Sequence, residues 1–181
     1  MRMSRFEKWF VNSGSHSRRV AECAERRLRL VRPQPGQCYL DVGCGNGAAA
    51  IHLAQTFGLE VTGVDVDPEQ IDAARRAAAG LLGLRFLTVD ASRLPFADGH
   101  FHIVASNKVT HHIPHWPVAF AEMIRVLRPG GWLVYDDFVL PSWGPRRFPN
   151  RRTLGSLVEA SGLTLPRVAQ GVVYRLVQKD K

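Results

Sequence analysis

The sequence predicts an α/β fold in which a doubly wound, mostly parallel β-sheet carries helices on both faces. Short apolar segments alternate with stretches of helical periodicity along most of the chain. A glycine-rich turn at 43–47 joins the first apolar segment to a helical stretch, and the length of 181 residues suits one domain. Strands that alternate with helices favour a parallel sheet, because each helix returns the chain to the same edge.

The first elements are marked by apolar spacing and by helix breakers. Residues 17–31 place apolar side chains at helical spacing, and Pro33 follows them. Residues 38–42 form a short apolar strand, and the alanine-rich run 48–57 after the glycine turn is a helix. Gly58 suits the C′ position that closes this helix.

The next two strands, 61–65 and 84–90, flank a helix at 68–79. Asp67 suits the N-cap of this helix. Pro68 suits its first turn, and Gln70 completes a capping box.

The central part of the chain repeats the alternation. The turn Asp98-Gly99 leads to a fourth strand at 101–106, and a helix at 117–127 follows. The run Pro129-Gly130-Gly131 predicts a turn into a fifth strand at 132–138.

The C-terminal part is predicted to form a helix and a hairpin. Apolar residues at helical spacing from Leu154 mark a short helix that Gly162 stops. Two strands, about 163–169 and 171–178, flank a Gln-Gly pair and bring the predicted number of strands to seven.

The net charge of +8 is concentrated at the two ends of the chain. Residues 1–32 hold nine basic and three acidic side chains, and residues 141–181 hold eight and two. The central residues 33–140 hold seven basic and eleven acidic side chains. A basic surface selects nucleic acid, anionic lipid or a phosphorylated substrate. Such selection is therefore expected of the flanks and not of the centre.

Composition and spacing argue against several other classes. The three cysteines, Cys23, Cys38 and Cys44, form no CxxC pair, which argues against a disulfide framework and a zinc site, so no metal is expected. No segment approaches the roughly 20 apolar residues of a membrane span, and no apolar run of signal-peptide length is present. A cytoplasmic location is the resulting expectation.

Polar residues follow the carboxyl ends of the predicted strands. In open α/β sheets, ligands bind beyond these ends, near the point where the strand order reverses. The residues expected at this edge are Gly43–Gly47, Asp65, Asp90, Asn107, Asp136 and Asp137. The topology alone thus predicts one polar ligand site.

The glycine turn and two acidic residues suggest which ligand this is. A nicotinamide-dinucleotide fingerprint needs its third glycine at position 48, which is alanine, a residue that some of those enzymes accept. The spacing favours another nucleoside and leaves an NAD-binding oxidoreductase open. Asp65 suits the two ribose hydroxyls, since Asp67 already fills the cap role. Asp90 and the Ala91 amide suit an adenine ring, although alone this segment would be a turn.

Five segments resemble the class I S-adenosylmethionine-dependent methyltransferases, most closely the small-molecule branch that includes the ubiquinone- and menaquinone-biosynthesis type. They are YLDVGCGNG (39–47), VTGVDVDPEQI (61–71), LRFLTVDASRLPF (84–96), FHIVASNKVTHHI (101–113) and RVLRPGGWLVYDDF (125–138). The resemblance covers about residues 37–140 in the right order. It implies a Rossmann-like, seven-stranded sheet with an antiparallel last strand, S-adenosylmethionine as cofactor and S-adenosylhomocysteine as product.

The resemblance also implies roles for individual residues. The methionine part of the cofactor is expected at Asp41 and the glycine turn, the ribose at Asp65, and the adenine between Val66 and Asp90. The implied cofactor-binding residues are Asp41, Gly43, Cys44, Gly45, Gly47, Asp65, Val66, Asp90, Ala91 and Asn107.

Methyl transfer is an in-line displacement that depends mainly on positioning. A base is needed only when the acceptor arrives protonated, and histidine suits that task near neutral pH. His111 and Asp136 are the catalytic candidates because they follow strands at the ligand edge, with Asp137 as the alternative to Asp136. A packing or turn role for His111, and a capping or solvated role for Asp136, are the competing interpretations.

The resemblance divides the chain into three parts of one methyltransferase domain, residues 1–181. These are a basic N-terminal helical cap at 1–32, a cofactor-binding core at 33–140, and a lid loop, helix and hairpin at 141–181. Both flanks combine aromatic and basic side chains: Phe6, Trp9, Phe10, Trp143, Arg146, Arg147, Phe148, Arg151 and Arg152.

The expected acceptor is a small molecule, with an anionic or membrane-associated substrate as one hypothesis. An ordinary solvated face is the competing interpretation of the charged flanks. A methyltransferase that acts on RNA or protein, and a non-catalytic S-adenosylmethionine-binding protein, are the alternatives. Nucleic acid therefore stays open as a partner.

Overall fold

A computed structural model describes residues 14–145, 147–164 and 172–176. Five strands form a parallel sheet: β1 (Cys38–Val42), β2 (Glu60–Asp65), β3 (Leu84–Thr88), β4 (Phe101–Asn107) and β5 (Leu127–Asp136). Their order in the sheet is β3-β2-β1-β4-β5. The order reverses between β1 and β4, which is where ligands bind in sheets of this kind.

In the described ranges, five helices cover the two faces of the sheet. They are α1 (Gly14–Arg29), α2 (Ala48–Phe57), α3 (Pro68–Ala77), α4 (Trp116–Val126) and α5 (Arg151–Ser161), with a short 3₁₀ turn at Thr110–His112. Buried residues of α1, α2 and α3 pack in one apolar cluster, and those of α4 and α5 pack in another. The predicted α/β sheet with helices on both faces is confirmed. No helix in the described part of the chain is long and apolar enough to cross a membrane.

The C-terminal part adds short antiparallel pairings to this sheet. A segment at Val172–Leu176 (β7) pairs antiparallel with β5, and Leu163–Thr164 (β6) pairs antiparallel with β7. Two full-length strands were expected here, at 163–169 and 171–178. Residues 165–171 and 177–181 lie outside the described residues. Of the predicted seven-stranded sheet, the structure thus establishes the five-stranded parallel part, and the full-length hairpin stays a prediction.

The fifth strand begins earlier than the sequence predicts. Phe101 pairs with Leu127 and Ile103 pairs with Trp132, so the four residues between those partners form a bulge inside β5. A Cβ on Gly131 would lie 2.9 Å from the carbonyl oxygen of His102, which explains why the bulge carries a glycine. The predicted fifth strand is therefore confirmed over residues 132–136, whereas the prediction of a turn before it is wrong, because the Pro-Gly-Gly run lies inside the strand.

The start of α3 follows the predicted capping only in part. Asp67 accepts a hydrogen bond from the Glu69 amide at 3.0 Å, and Pro68 occupies the first turn. The Gln70 side chain is buried, and its Oε1 has no hydrogen-bond partner among the described residues. Gln70 thus does not close a capping box, because its side chain packs inward beside the glycine turn.

Candidate active site

The glycine turn between β1 and α2 is held against the end of β2. Gly43, Gly45 and Gly47 have φ angles of 76°, 53° and 78°, a region that glycine enters at little cost. The amides of Gly43 and Cys44 donate to the Val64 carbonyl at 2.8 and 3.0 Å. The backbone of the turn is therefore fixed by the sheet itself.

The three glycines differ in the space around them. A Cβ on Gly43 would lie 2.3 Å from the Val109 side chain, and one on Gly47 would lie 2.9 Å from an aromatic ring of β3. Among the described residues, the one atom within 4 Å of a Cβ on Gly45 would be a side-chain oxygen of α3, at 3.8 Å. Packing therefore requires glycine at 43 and 47, whereas a ligand can approach the backbone at Gly45.

Two carboxyl groups lie beside this turn, Asp41 on β1 and Asp65 at the end of β2. Burial, and to a smaller extent the neighbouring Asp65, raises the pKa of Asp41 to about 7. Burial also raises the pKa of Asp65, although the Gly45 and Asp67 amides donate to its oxygens at 3.0 and 2.9 Å. Such a pair favours a cationic ligand, because a nearby positive charge stabilises the ionised form of both groups.

Cys44 contributes its backbone to the turn and its side chain to the core. Its Sγ packs against β2, since a Cβ on Gly63 would lie 2.9 Å from it. Burial raises the pKa of the Cys44 thiol well above its usual range. The thiol is therefore a packing group in this structure.

Val66, Asp90 and Ala91 lie after β2 and β3, on the predicted adenine side. Val66 is 62% exposed, which is a large fraction for an apolar side chain, and Ala91 is buried. The Asp90 Oδ1 accepts hydrogen bonds from the Ser92 amide and hydroxyl at 2.9 and 2.8 Å. This is the turn that the sequence offered as the competing interpretation. Because both bonds use Oδ1, the Oδ2 atom keeps its capacity to accept.

An ionic network joins α1 to the ends of β4 and β5. Arg27 reaches the Asn107 Oδ1 at 3.2 Å and the Asp136 Oδ2 at 2.6 Å. The Lys108 Nζ lies 3.0 Å from the Asp136 Oδ1, and the Lys108 amide donates to the Asp136 carbonyl at 2.6 Å. The catalytic candidate Asp136 is thus paired with two cations, and the cofactor candidate Asn107 contacts the N-terminal helix.

The neighbouring Asp137 is the carboxylate that His111 contacts. The Asp137 Oδ1 lies 2.5 Å from the His111 Nδ1, and the Asp137 Oδ2 accepts hydrogen bonds from the His111 amide at 3.2 Å and from the Thr110 hydroxyl. The Thr110 hydroxyl also lies 2.6 Å from the Tyr135 hydroxyl. The side chain of Asp137 is fully buried. These donors hold a buried carboxylate, which in turn fixes the imidazole ring.

A cleft of about 220 Å³ opens beside this pair. Its walls are mostly apolar, with two histidines and one arginine as the polar groups. The lining residues are His111, His112, Ile113, Pro114, Arg147 and Phe148. The candidate base and an exposed cation therefore line the same space.

A comparison with known families identifies the chain. Residues 40–135, more than half of the sequence, match the methyltransferase domain family. The chain belongs to this family. The matched region contains the glycine turn, the carboxyl groups of Asp41 and Asp65 beside it, and the turn that carries His111.

Two relatives show the range of proteins that share this methyltransferase domain. The chain is 39% identical over 113 residues to the fatty-acid O-methyltransferase of Mycolicibacterium smegmatis, with 60% of this chain and 41% of the relative covered. It is 38% identical over 104 residues to the 2-methyl-6-phytyl-1,4-hydroquinone methyltransferase of Synechocystis, with 58% and 33% covered. The chain thus spans less than half the length of these relatives.

A solved structure shows the same fold over nearly the whole methyltransferase domain. The crystal structure of a SAM-dependent methyltransferase from Aquifex aeolicus matches with a TM-score of 0.77 and 20% identity. The match covers 97% of this chain and all of that one. The match establishes the fold. The roles of the site residues are argued from the geometry described above.

Sequence reasoning did not find every residue of the site. Asp136 was the first candidate and Asp137 its alternative, and the contact with His111 is made by Asp137, the residue that follows β5. No local signal in the sequence indicated that Thr110 donates to Asp137 or that Arg27 contacts Asp136. Residues 1–13 and Arg146, which include part of the predicted aromatic and basic flanks, lie outside the described residues. Within the described part, no three His, Cys, Asp or Glu side chains form a group that could hold a metal ion.

Proposed function

We propose that this chain is an S-adenosylmethionine-dependent methyltransferase that acts on a small-molecule acceptor. The observation that carries the proposal is the turn at Gly45. Its backbone is open to a ligand beside the buried carboxyl group of Asp41 and the half-buried one of Asp65, in a chain of the methyltransferase domain family. A cofactor that carries an amino group and a sulfonium fits this arrangement, since both are cations.

The residues beside the turn suit the parts of this cofactor. Asp41 would hold the charged methionine end, with Gly45 and Gly47 giving close access to the backbone. Asp65 would accept from the ribose hydroxyls. Val66 would pack on the adenine ring. The remaining contacts would come from Asp90, Ala91, Asn107 and the backbone of Gly43 and Cys44.

The pair His111–Asp137 suits an acceptor that loses a proton. Bound S-adenosylmethionine supplies an activated methyl group on sulfur and leaves as S-adenosylhomocysteine. With its Nδ1 held by the buried Asp137, His111 keeps Nε2 as the nitrogen able to take a proton from a hydroxyl or amine. His111 is thus the proposed base. Asp137 orients it, and Asp136 fixes Arg27 and Lys108.

The cleft beside His111 supports a small amphipathic acceptor. Its apolar walls suit a hydrocarbon or ring system, and Arg147 suits an anionic group on the same molecule. The relatives described above act, by their names, on a fatty acid and on a phytyl hydroquinone, which agrees with this class. An RNA or protein acceptor, and cofactor binding without catalysis, are the alternatives that the experiment below separates.

The proposal extends to the organisation of the chain. We take residues 1–181 as one domain with a helical cap at 1–32, a cofactor core at 33–140, and a lid loop, helix and hairpin at 141–181. The pairings of β6 and β7 support a seven-stranded sheet with an antiparallel last strand. The free state of Cys23, Cys38 and Cys44 supports a reducing, cytoplasmic location.

Two measurements test the function. Calorimetry with S-adenosylmethionine, S-adenosylhomocysteine and NAD should show binding of the first two, and binding of NAD alone would overturn the proposal. Transfer of labelled methyl from the cofactor to fractionated cell extract should place the label in small molecules. Label in RNA or protein would select the alternative acceptor, and binding without any transfer would select the non-catalytic one.

A further inference from the structure

The loop between β5 and α5, residues 137–150, exposes an aromatic side chain at its tip. Trp143 is 84% exposed, and Phe138 at the start of the loop is 61% exposed. Phe138 already has partners, since the Lys108 Nζ lies 4.4 Å from its ring centroid and the His111 ring centroid lies 5.1 Å away. Trp143 has the larger exposed fraction, and burying its ring against a partner would gain free energy.

The loop is braced by its own backbone. The Leu140 amide donates to the Pro149 carbonyl at 2.8 Å, and the Gly144 amide closes a turn on the Pro141 carbonyl at 2.8 Å. A Cβ on Gly144 would lie 2.7 Å from the Leu140 side chain, so the turn is tightly packed. Trp143 therefore sits on a constrained tip, and inserting it into a partner would order little additional chain.

The charge of this region has one sign. Between Asp137 and Glu159 the sequence holds four arginines and no acidic residue. Two of them, Arg151 and Arg152, are exposed and occupy the first turn of α5, which contains no acidic side chain. Cations are unfavourable at a helix N-terminus, because the helix dipole is positive there. The stability of α5 therefore does not explain these two residues.

The same loop forms one wall of the acceptor cleft. Arg147 and Phe148 line the cleft beside His111, whose remaining walls are mostly apolar. An exposed tryptophan with flanking arginines is the side-chain combination that binds at the interface of anionic lipid bilayers. A nucleic acid would instead use several stacking platforms along a groove.

We propose that residues 138–152 dock this protein on an anionic lipid surface, with Trp143 inserted at the headgroup level and Arg151 and Arg152 on the lipid phosphates. Docking sets the mouth of the cleft against the membrane, so that an amphipathic acceptor enters from the bilayer. Only this last consequence rests on the proposed methyl transfer, because the docking surface is defined by the loop alone.

The experiment is co-sedimentation of the full chain with vesicles. Vesicles of equal parts phosphatidylglycerol and phosphatidylcholine should bind the protein, phosphatidylcholine vesicles should not, and salt should weaken the binding. Trp143→Ala should lower the partition coefficient about tenfold. The double variant Arg151→Gln/Arg152→Gln should lower it roughly fivefold for each arginine removed. Its melting temperature should be equal or higher, since two cations leave a helix N-terminus.

Matched controls lie on other surfaces. Leu82→Ala removes a side chain that is 95% exposed, at the opposite edge of the sheet before β3, and Arg76→Gln removes an exposed cation on α3. Both should bind vesicles like the unmodified protein.

Three results would overturn the proposal. The first is no binding to anionic vesicles, and the second is binding by the Trp143 and arginine variants as tight as that of the unmodified protein. The third is tighter binding to a single-stranded RNA than to the vesicles. Calorimetry of each variant with S-adenosylhomocysteine separates the two proposals. Loss of vesicle binding with intact cofactor binding would reject the docking surface alone. Vesicle binding without any cofactor binding would reject the proposed function and leave the docking surface supported.

Discussion

Replacing Asp41 by asparagine is expected to stabilise the protein and to weaken its binding of S-adenosylmethionine. The pKa of the buried carboxyl rises from 3.8 to about 7 in the fold. That difference corresponds to about 4 kcal/mol of folding free energy. The folded state holds the proton more tightly than the unfolded chain, so the penalty is complete above pH 7. It shrinks as the pH falls and is absent below pH 3.8.

Comparing the stability gain at two pH values tests the electrostatic argument. In urea unfolding, Asp41→Asn should gain about 4 kcal/mol at pH values near 8 and about 2 kcal/mol near 5. Asp72→Asn is the control, since that side chain is 59% exposed and should change stability by less than about 0.5 kcal/mol at either pH. A gain that is equal at both pH values, or a loss at the higher one, would refute the electrostatic argument.

The same substitution tests the role of Asp41 in the cofactor site. An asparagine can accept a hydrogen bond from a cationic group but carries no opposite charge, so affinity for S-adenosylmethionine should fall about tenfold or more. Calorimetry near pH 8 measures this loss directly. Unchanged affinity in a variant with the expected gain in stability would show that the buried carboxyl serves no ligand.

Three further predictions concern the rest of the site. His111→Gln should lower kcat about 10²-fold or more with little change in cofactor affinity; steady-state kinetics on the identified acceptor check this, and an unchanged kcat would remove His111 as the base. Gly47→Ala should destabilise the fold by about 1–3 kcal/mol, because the added methyl meets packed side chains, whereas Gly45→Ala should lower cofactor affinity more than stability. Thermal unfolding and calorimetry compare the two variants. Equal losses of stability would contradict the difference in the space around the two glycines. Arg27→Gln should lower the free energy of unfolding by about 1–3 kcal/mol, because it leaves Asp136, whose side chain is 14% exposed, with one fewer cation. A melting temperature equal to that of the unmodified protein would show that the network does not anchor α1.

The strand and helix pattern was predictable because burial imposes it. The central strands are nearly continuous apolar runs, such as the one ending at Asp41-Val42, since helices cover both faces of a parallel sheet. The convergence of Asp65, Asp90 and the glycine turn also follows from topology, because parallel strands end at one edge. Local signals were sufficient for these features.

Other features depend on contacts that no local signal encodes. The Pro-Gly-Gly run looks like a turn, and only the pairing of the flanking Leu127 and Trp132 with β4 reveals a bulge. Gln70 fits a capping box by spacing, but the packing of α3 against the glycine turn buries it instead. The choice between Asp136 and Asp137 depends on which face of β5 meets the 3₁₀ turn, and that is set by the register of the whole sheet.

Val109 packs closely against Gly43, although the two residues are far apart in the sequence. Val109 directly precedes the 3₁₀ turn of His111, and it fills the space where a side chain on Gly43 would lie. A movement of the glycine turn toward Val109 would therefore shift the segment that carries the imidazole. If the cofactor adjusts that turn on arrival, the imidazole is set before the acceptor binds, and the kinetics should show compulsory order with the cofactor first.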